Sequence, residues 1–299
     1  MILVAGSANL DFVVLAPRIP APGETVLGRD FKTFPGGKGA NQAIASARAG
    51  GAPTAMLLAL GNDAFAAPIM ASLEAAGVRM HVVRAEGEPT GTAFICVSDD
   101  AQNAITVAPG ANNALRDFHL PPLDGFSHLL LQLETPIETV SAYARAAHDK
   151  GVKVVLNAAP ARKLPKELLA LVDVLVVNKG ELATVSGHRG GLAQCLARID
   201  VPCVIVTLGE DGCCARVGEE MIMQDAFAVM PVDTTAAGDT FCGVLVACLG
   251  RKLGLREAMR HANAAGALAC TRRGAQSSIP SSAELRAFLN EHRHTAPSK

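Results

Sequence analysis

The stretch "HLLLQLETPIETVSAYARAAHDKGVKVVL", residues 128–156, decides the fold. It opens on a continuous apolar run, "HLLLQL" (128–133), and turns polar at Glu134. From 137 to 151 its apolar residues fall near the helical period, and a Lys-Gly pair at 150–151 ends the helix. A second apolar run, "VKVVL" (152–156), follows. A strand that is apolar on successive residues is covered on both faces, as in a parallel sheet flanked by helices. Strand, helix, strand is the unit that builds such a sheet.

The same alternation extends along the chain. Further strand runs are "ILVA" (2–5), "AMLLAL" (55–60), "VLVV" (174–177) and "CVIVTL" (203–208). Helical patterns occupy 40–50, stopped by two glycines, and then 238–250, 255–271 and 281–290. The expected fold is an α/β protein: a three-layer α/β/α, doubly wound, mostly parallel sheet. Two segments break the pattern. Residues 11–34 carry three prolines and no helical period, and residues 88–108 hold two short strand-like runs around Asp99 and Asp100. Each reads as an antiparallel hairpin outside the main sheet, either a surface excursion or a small β lid over a site. The expected division is a core of 1–10, 35–87 and 109–299 and a lid of 11–34 and 88–108. The tail "HRHTAPSK" reads as frayed.

Composition excludes several classes. Lys and Arg number 27 against 28 Asp and Glu, for a net charge of −1, so no footprint for nucleic acid or an anionic membrane exists. Trp is absent and Tyr143 is the one tyrosine, which leaves no platform for stacking bases. The start, "MILVAGSANLD", has no basic n-region, and no stretch reaches the roughly 18 uncharged apolar residues of a spanning helix. The expectation is a cytoplasmic protein. Eight cysteines include no C-x-x-C pair and sit mostly among aliphatic residues, as free buried thiols do.

Polar residues collect where the strand runs end, the rim on which open α/β sheets bind ligands. Asn9 and Asp11 follow the first run, and Glu134 follows the third. Asn157, then Asn178 and Glu181, then Gly209, Glu210 and Asp211 follow the next three. Any one of these could be a turn or cap residue; together on one rim they read as a binding edge. "FPGGKGANQA" (34–43) sets Gly37, Lys38 and Asn41 at the start of a helix. It fails the P-loop pattern because Gly39 follows Lys38, and fails the dinucleotide pattern because Gln42 holds the last position. Its exposed amides, with Lys38 and Asn41, suit a polyhydroxylated ligand.

"DTTAAGDTF" (233–241) runs into the apolar "CGVLVACLG". Small residues at Ala236, Ala237 and Gly238 leave amides uncovered at a helix N-terminus, which makes an anion hole. Asp239 there is either an N-cap or a proton acceptor for a hydroxyl that attacks a phosphoryl group.

The set "PGETVLG", "GGKGANQA", "QLET", "NKGE", "VTLGEDG", "DTTAAGDTFCG" and "RRGAQSS" resembles, in order and spacing, the ribokinase branch of the PfkB carbohydrate kinase family. The resemblance spans Gly6 to Pro280. It implies an α/β/α core with a β lid that often pairs two subunits, hence a homodimer. It implies a sugar site at Asn9, Asp11, Gly37, Lys38, Asn41 and Glu134, with apolar contacts from Ala93, Ile95 and Val107. It implies a nucleotide site for ATP at Asn178, Thr207, Gly209, Gly212, Gly238 and Asn263, to which the rim reading adds Glu210 and Asp211. Asp239 corresponds to the catalytic base, and Asn178 with Glu181 to an N-x-x-E motif linked to Mg²⁺ and phosphate. Asp233, Thr235, Ala269, Arg272, Gly274 and Ser278 correspond to a monovalent-cation site, usually K⁺. Where the wider family often writes G-A-G-D, this chain has Ala236-Ala237-Gly238-Asp239, as ribokinases commonly do. The implied activity is ATP-dependent phosphorylation of the 5-hydroxyl of ribose. The alternatives are 2-deoxyribose, another pentose or ketose, or a nucleoside. A non-catalytic sugar sensor is the competing class, disfavoured by intact Asp239, Gly238 and Glu181.

Overall fold

The computed structural model describes residues 1–100 and 102–292. Two sheets organise it. The strands of the larger are β1 (Ile2–Ala5), β4 (Thr54–Leu60), β5 (Arg79–Arg84), β8 (His128–Leu131), β9 (Lys153–Asn157), β10 (Val174–Asn178), β11 (Cys203–Thr207), β12 (Cys213–Val217) and β13 (Glu220–Gln224). Their spatial order is β13-β12-β11-β10-β9-β8-β1-β4-β5. From β11 to β5 every pairing is parallel, and β12 and β13 add an antiparallel edge. All six strand runs read from the sequence are present. β5, β12 and β13 are additions, because "RMHVVR" and "EMIMQ" mix charged or polar residues into edge strands and lack a continuous apolar run.

The sheet is covered on both faces. On one, Ile2, Val4, Met56, Leu58, Leu130, Val155, Val176 and Ile205 pack against helices α1 (Lys38–Ile44), α7 (Ala237–Gly250), α8 (Leu255–Cys270) and α9 (Ser282–Glu291). On the other, Leu3, Leu57, Leu129, Leu131, Val154, Leu156, Leu175 and Val206 pack against α3 (Ile137–Asp149), α4 (Lys166–Leu169), α5 (Lys179–Ser186) and α6 (Leu192–Leu196). Successive strand residues thus enter opposite cores, which is why the runs are apolar throughout. Each such side chain contributes about 1.5–3 kcal/mol by leaving water. A further helix, α2 (Ala66–Ala75), lies beside β5 on the α1 face. The helix expected at 40–50 begins two residues earlier and passes after Ile44 into a wider turn at Ala45–Ala49.

The two interrupting segments join in one four-stranded sheet: β2 (Asn9–Ala16), β3 (Arg29–Gly36), β6 (Gly91–Ser98) and β7 (Asn103–Ala108), in the order β3-β2-β6-β7. β2 with β3 and β6 with β7 are antiparallel hairpins, and β2 with β6 is a parallel seam between them. The tail expected to fray lies, from residue 293 on, outside the described residues. Among the described residues no helix is long and apolar enough to cross a membrane.

Candidate active site

Helix α7 carries the centre of the site. Ten of its residues, from Asp239 to Cys248, are buried, so its first turn is pressed against α1. Gly243 makes that approach possible: a Cβ there would stand 2.4 Å from the carbonyl oxygen of Gln42. The approach brings Asn41 and Gln42 onto the Asp239 carboxylate. Asn41 Nδ2 donates to Oδ2 at 2.9 Å, and Gln42 Nε2 donates to Oδ1 at 2.9 Å. Ala236 caps the helix in the left-handed region, with φ 59°, a conformation costing an alanine about 1 kcal/mol. Of the amides expected to lie open at 236–239, that of Ala237 instead donates to the Thr234 carbonyl at 3.2 Å. Gly238 and Asp239 stand in the first helical turn, where no carbonyl within the helix is available to their amides.

A polar cradle faces this helix end. Ser7 Oγ at 2.5 Å and the Lys38 amide at 3.0 Å both donate to Glu134 Oε2. Asn112 Nδ2 donates to Asn9 Oδ1 at 2.7 Å, while its own Oδ1 accepts from the Ala8 amide at 2.9 Å. Asp11, two residues on from Asn9 along β2, shares its face of the small sheet, where Asp11, Ala93 and Val107 are register partners across β2, β6 and β7. Ile95, two residues on from Ala93, shares that face. Gly36 must stay bare, since a Cβ would fall 2.1 Å from Asp11 Oδ2. Among the described residues no hydrogen bond reaches the Asp11 carboxyl. Burial first, then the charges of Glu134 and Asp239, push it up to about 7, against the pull of Lys38. Lys38 is raised in turn, chiefly by Asp239, with Glu134 and Glu181 adding to it against desolvation. Asn41 Oδ1 is buried with no partner among the described residues. The cradle therefore holds acceptors without a partner among the described residues.

Two connected hollows lead away from it. One, of about 220 Å³, is lined by Lys38, Asn157, Asn178, Glu181, Gly238 and Asp239, among others. The second, of about 690 Å³, is lined by Thr207, Gly209, Glu210, Gly212, Gly238 and Asn263, with Phe227, Val229 and Pro231 as apolar walls. Thr207, Thr234 and Gly238 border both. A polar cradle, a helix N-terminus and an apolar-walled groove thus stand in line.

Several expected residues have structural work as well. Asn178 and Glu181 form a capping box on α5, with Asn178 Oδ1 accepting from the Glu181 amide and Glu181 Oε2 from the Asn178 amide, each at 2.8 Å. Burial raises Glu181, offset by that amide and by Lys38. Asp211 lines neither hollow and pairs with Lys179 at 3.1 Å. Asn263 Nδ2 donates to the Asp225 carbonyl at 2.8 Å on the groove wall. The loops at 233–235 and 269–278 meet: Asp233 Oδ1 accepts from the Thr235 amide (2.9 Å) and hydroxyl (2.6 Å), and Oδ2 from the Gly274 amide (2.9 Å). There the Ala269 carbonyl accepts from the Arg272 amide, Ser278 donates to the Ala275 carbonyl, and the Arg272 guanidinium turns away to Glu284.

The sequence reading passed over Ser7, Gln42, Asn112 and Gln132. Gln42 served there only to reject a dinucleotide motif. Its signal was present nonetheless: a second amide beside Asn41, on a helix whose remaining residues after Lys38 are small or aliphatic.

Fold and site together define an α/β protein with a polar cradle set against the N-terminus of α7. The chain matches the pfkB family carbohydrate kinase over residues 1–282, and it belongs to that family as a sugar kinase. It is 38% identical to the ribokinase of Haemophilus influenzae, with 97% of this chain and 98% of that protein covered. It is 32% identical to the deoxyribokinase of Salmonella typhimurium, at 97% and 98% coverage. The structure of Arabidopsis thaliana ribokinase complexed with ribose and ATP superposes with a TM-score of 0.87, at 32% identity and over 96% and 98% of the two chains.

Proposed function

We propose that this chain transfers the γ-phosphoryl group of ATP to the 5-hydroxyl of ribose. The observation that carries the reading is the cradle's unpaired acceptors, Asp11 and Asn41 Oδ1, next to an aspartate at the N-terminus of α7. Asn9, Asp11, Lys38, Asn41 and Glu134 hold the sugar hydroxyls. Gly37 lets the chain pass close to them, and Ala93, Ile95 and Val107 cover the apolar edge of the ring. Asp239 takes the proton of the 5-hydroxyl as its oxygen bonds to the γ-phosphorus and the bond to ADP breaks. The amides of Gly238 and Asp239 face the charge that gathers on the transferred group, with Ala236 and Ala237 shaping the turn. Thr207, Gly209, Glu210, Gly212 and Asn263 bound the nucleotide groove, and Asp211 lies at its margin.

Glu181 fits a divalent cation, since one of its carboxylate oxygens accepts no hydrogen bond among the described residues and the half-buried group lines the smaller hollow. Mg²⁺ bound with ATP neutralises phosphate charge. The loops at 233–235 and 269–278 offer a carboxylate, hydroxyls and backbone carbonyls, an all-oxygen set that fits K⁺. A monovalent cation held there would order the turn before α7. The small sheet acts as a lid, and Val107 and Ile105, exposed on its site-facing side, are where a second copy's lid would seat. A donor of the ATP class and eight free cysteines fit a cytoplasmic enzyme.

Kinship with a deoxyribokinase keeps 2-deoxyribose as the second reading. A site that pairs a hydroxyl leaves its own groups unpaired against the deoxy analogue. ADP release measured with a panel of pentoses should favour ribose over 2-deoxyribose in kcat/KM by at least roughly tenfold. Equal or better turnover of 2-deoxyribose would move the chain to the second reading, and no turnover of any pentose would overturn both.

A further inference from the structure

We infer that Gln42 is the positioning residue of the phosphoryl-transfer centre, fixing Asp239 so that Oδ2 is the oxygen that receives the substrate proton. The inference rests on the reading of Asp239 as proton acceptor. Gln42 is fully buried, and its amide is fully committed. Nε2 donates to Asp239 Oδ1 at 2.9 Å and to Asn157 Oδ1 at 3.0 Å. Oε1 accepts from Gln132 Nε2 at 2.7 Å. A flipped amide would set Oε1 against two acceptors and the NH₂ group against a donor, so one orientation survives.

Asn41, the other donor to Asp239, differs. Its Oδ1 has no partner among the described residues, so it turns without breaking anything but its bond to Oδ2. When a sugar hydroxyl engages Asn41, Oδ2 comes free while Oδ1 stays held by Gln42. The support behind Gln42 comes from the ends of two strands: Gln132 follows β8, and Asn157 ends β9 and donates to the Val176 carbonyl of β10 at 3.2 Å. The rigid sheet thereby reaches Asp239 through one neutral side chain. A neutral donor orients the carboxylate without adding a second cation to Lys38, whose charge already faces Asp239.

The test uses the full chain and three measurements. In the ligand-free protein, the Gln42 side-chain NH₂ resonances should shift between wild type and Asp239→Asn. Unchanged resonances overturn the contact whatever the enzyme's substrate. Gln42→Met should lower kcat about 10- to 100-fold, the scale set by misplacing a reacting group, with the sugar KM within about threefold. Wild-type kcat in folded Gln42→Met overturns the inference. Gln42→Glu keeps size and the Gln132 bond but sets two carboxylates against each other, so the acid limb of kcat/KM should move up by about one pH unit. If the methionine variant fails to fold, this one decides, and an unmoved limb overturns the inference. Absence of pentose turnover in the wild type would overturn the functional reading alone and leave the resonance test standing.

Discussion

Replacing Asp239 with asparagine separates a helix cap from a proton acceptor. The change is nearly isosteric, yet it turns one of two acceptor oxygens into a donor. In the wild type both oxygens accept from amides at 2.9 Å, Oδ2 from Asn41 and Oδ1 from Gln42. Gln42 is locked by Gln132 and Asn157, so the new side-chain oxygen must stay on the Gln42 side. Its NH₂ group then meets Asn41. Asn41 can answer by turning its unpartnered Oδ1 toward it, which replaces one hydrogen bond with another. The stability change should therefore stay within about 1 kcal/mol, the net worth of one hydrogen bond. Catalysis has no such repair, because an amide does not accept the hydroxyl proton. The expected loss is about 10²–10⁴ in kcat. The assay pairs a coupled measurement of ADP release with thermal unfolding and calorimetric sugar binding. Near-normal turnover in a folded variant would reduce Asp239 to a cap. A loss of stability well beyond one hydrogen bond would refute the account of Asn41 as the adjustable partner.

Two further outcomes follow from the electrostatics. The folded state holds the Asp11 proton up to about 7, above the ordinary carboxylate value of 3.8. Between those two pH values it binds more protons than the unfolded chain, so unfolding free energy falls as pH rises and levels off above about 7. The shift corresponds to roughly 4 kcal/mol at most. Asp11→Asn should erase that slope, gaining on the wild type in denaturant titrations at pH 8 and matching it at pH 4; parallel profiles would count against the buried charge. At fixed ionic strength, replacing K⁺ with tetramethylammonium should lower turnover, because the bulky ion cannot enter the carbonyl and carboxylate set around Asp233. Equal rates in both salts at every ATP concentration would remove that site.

The sequence by itself determined the layered fold and the rim. Parallel strands buried on both faces must be apolar residue after residue, so the six central strands were visible one at a time, and so were the polar residues that end them. It also determined the chemistry of the ends: Asp239 at a helix start, Lys38 and Asn41 in a glycine turn, Glu134 after a strand. The edge strands escaped, because β13 faces solvent along most of its length and carries no buried run. Tertiary structure alone decided how distant pieces meet. The parallel seam of β2 with β6 turns two hairpins into one sheet, a pairing across about eighty residues that no local pattern encodes. Gln42 is polar in a helix buried from Gly39 to Ile44, and its reason lies 197 residues away at Asp239. A buried amide is tolerated only where its partners are, and those partners come from other strands and helices. The amide of Ala237 shows the reverse case: small residues implied an open donor, and the turn at Thr234 closed it.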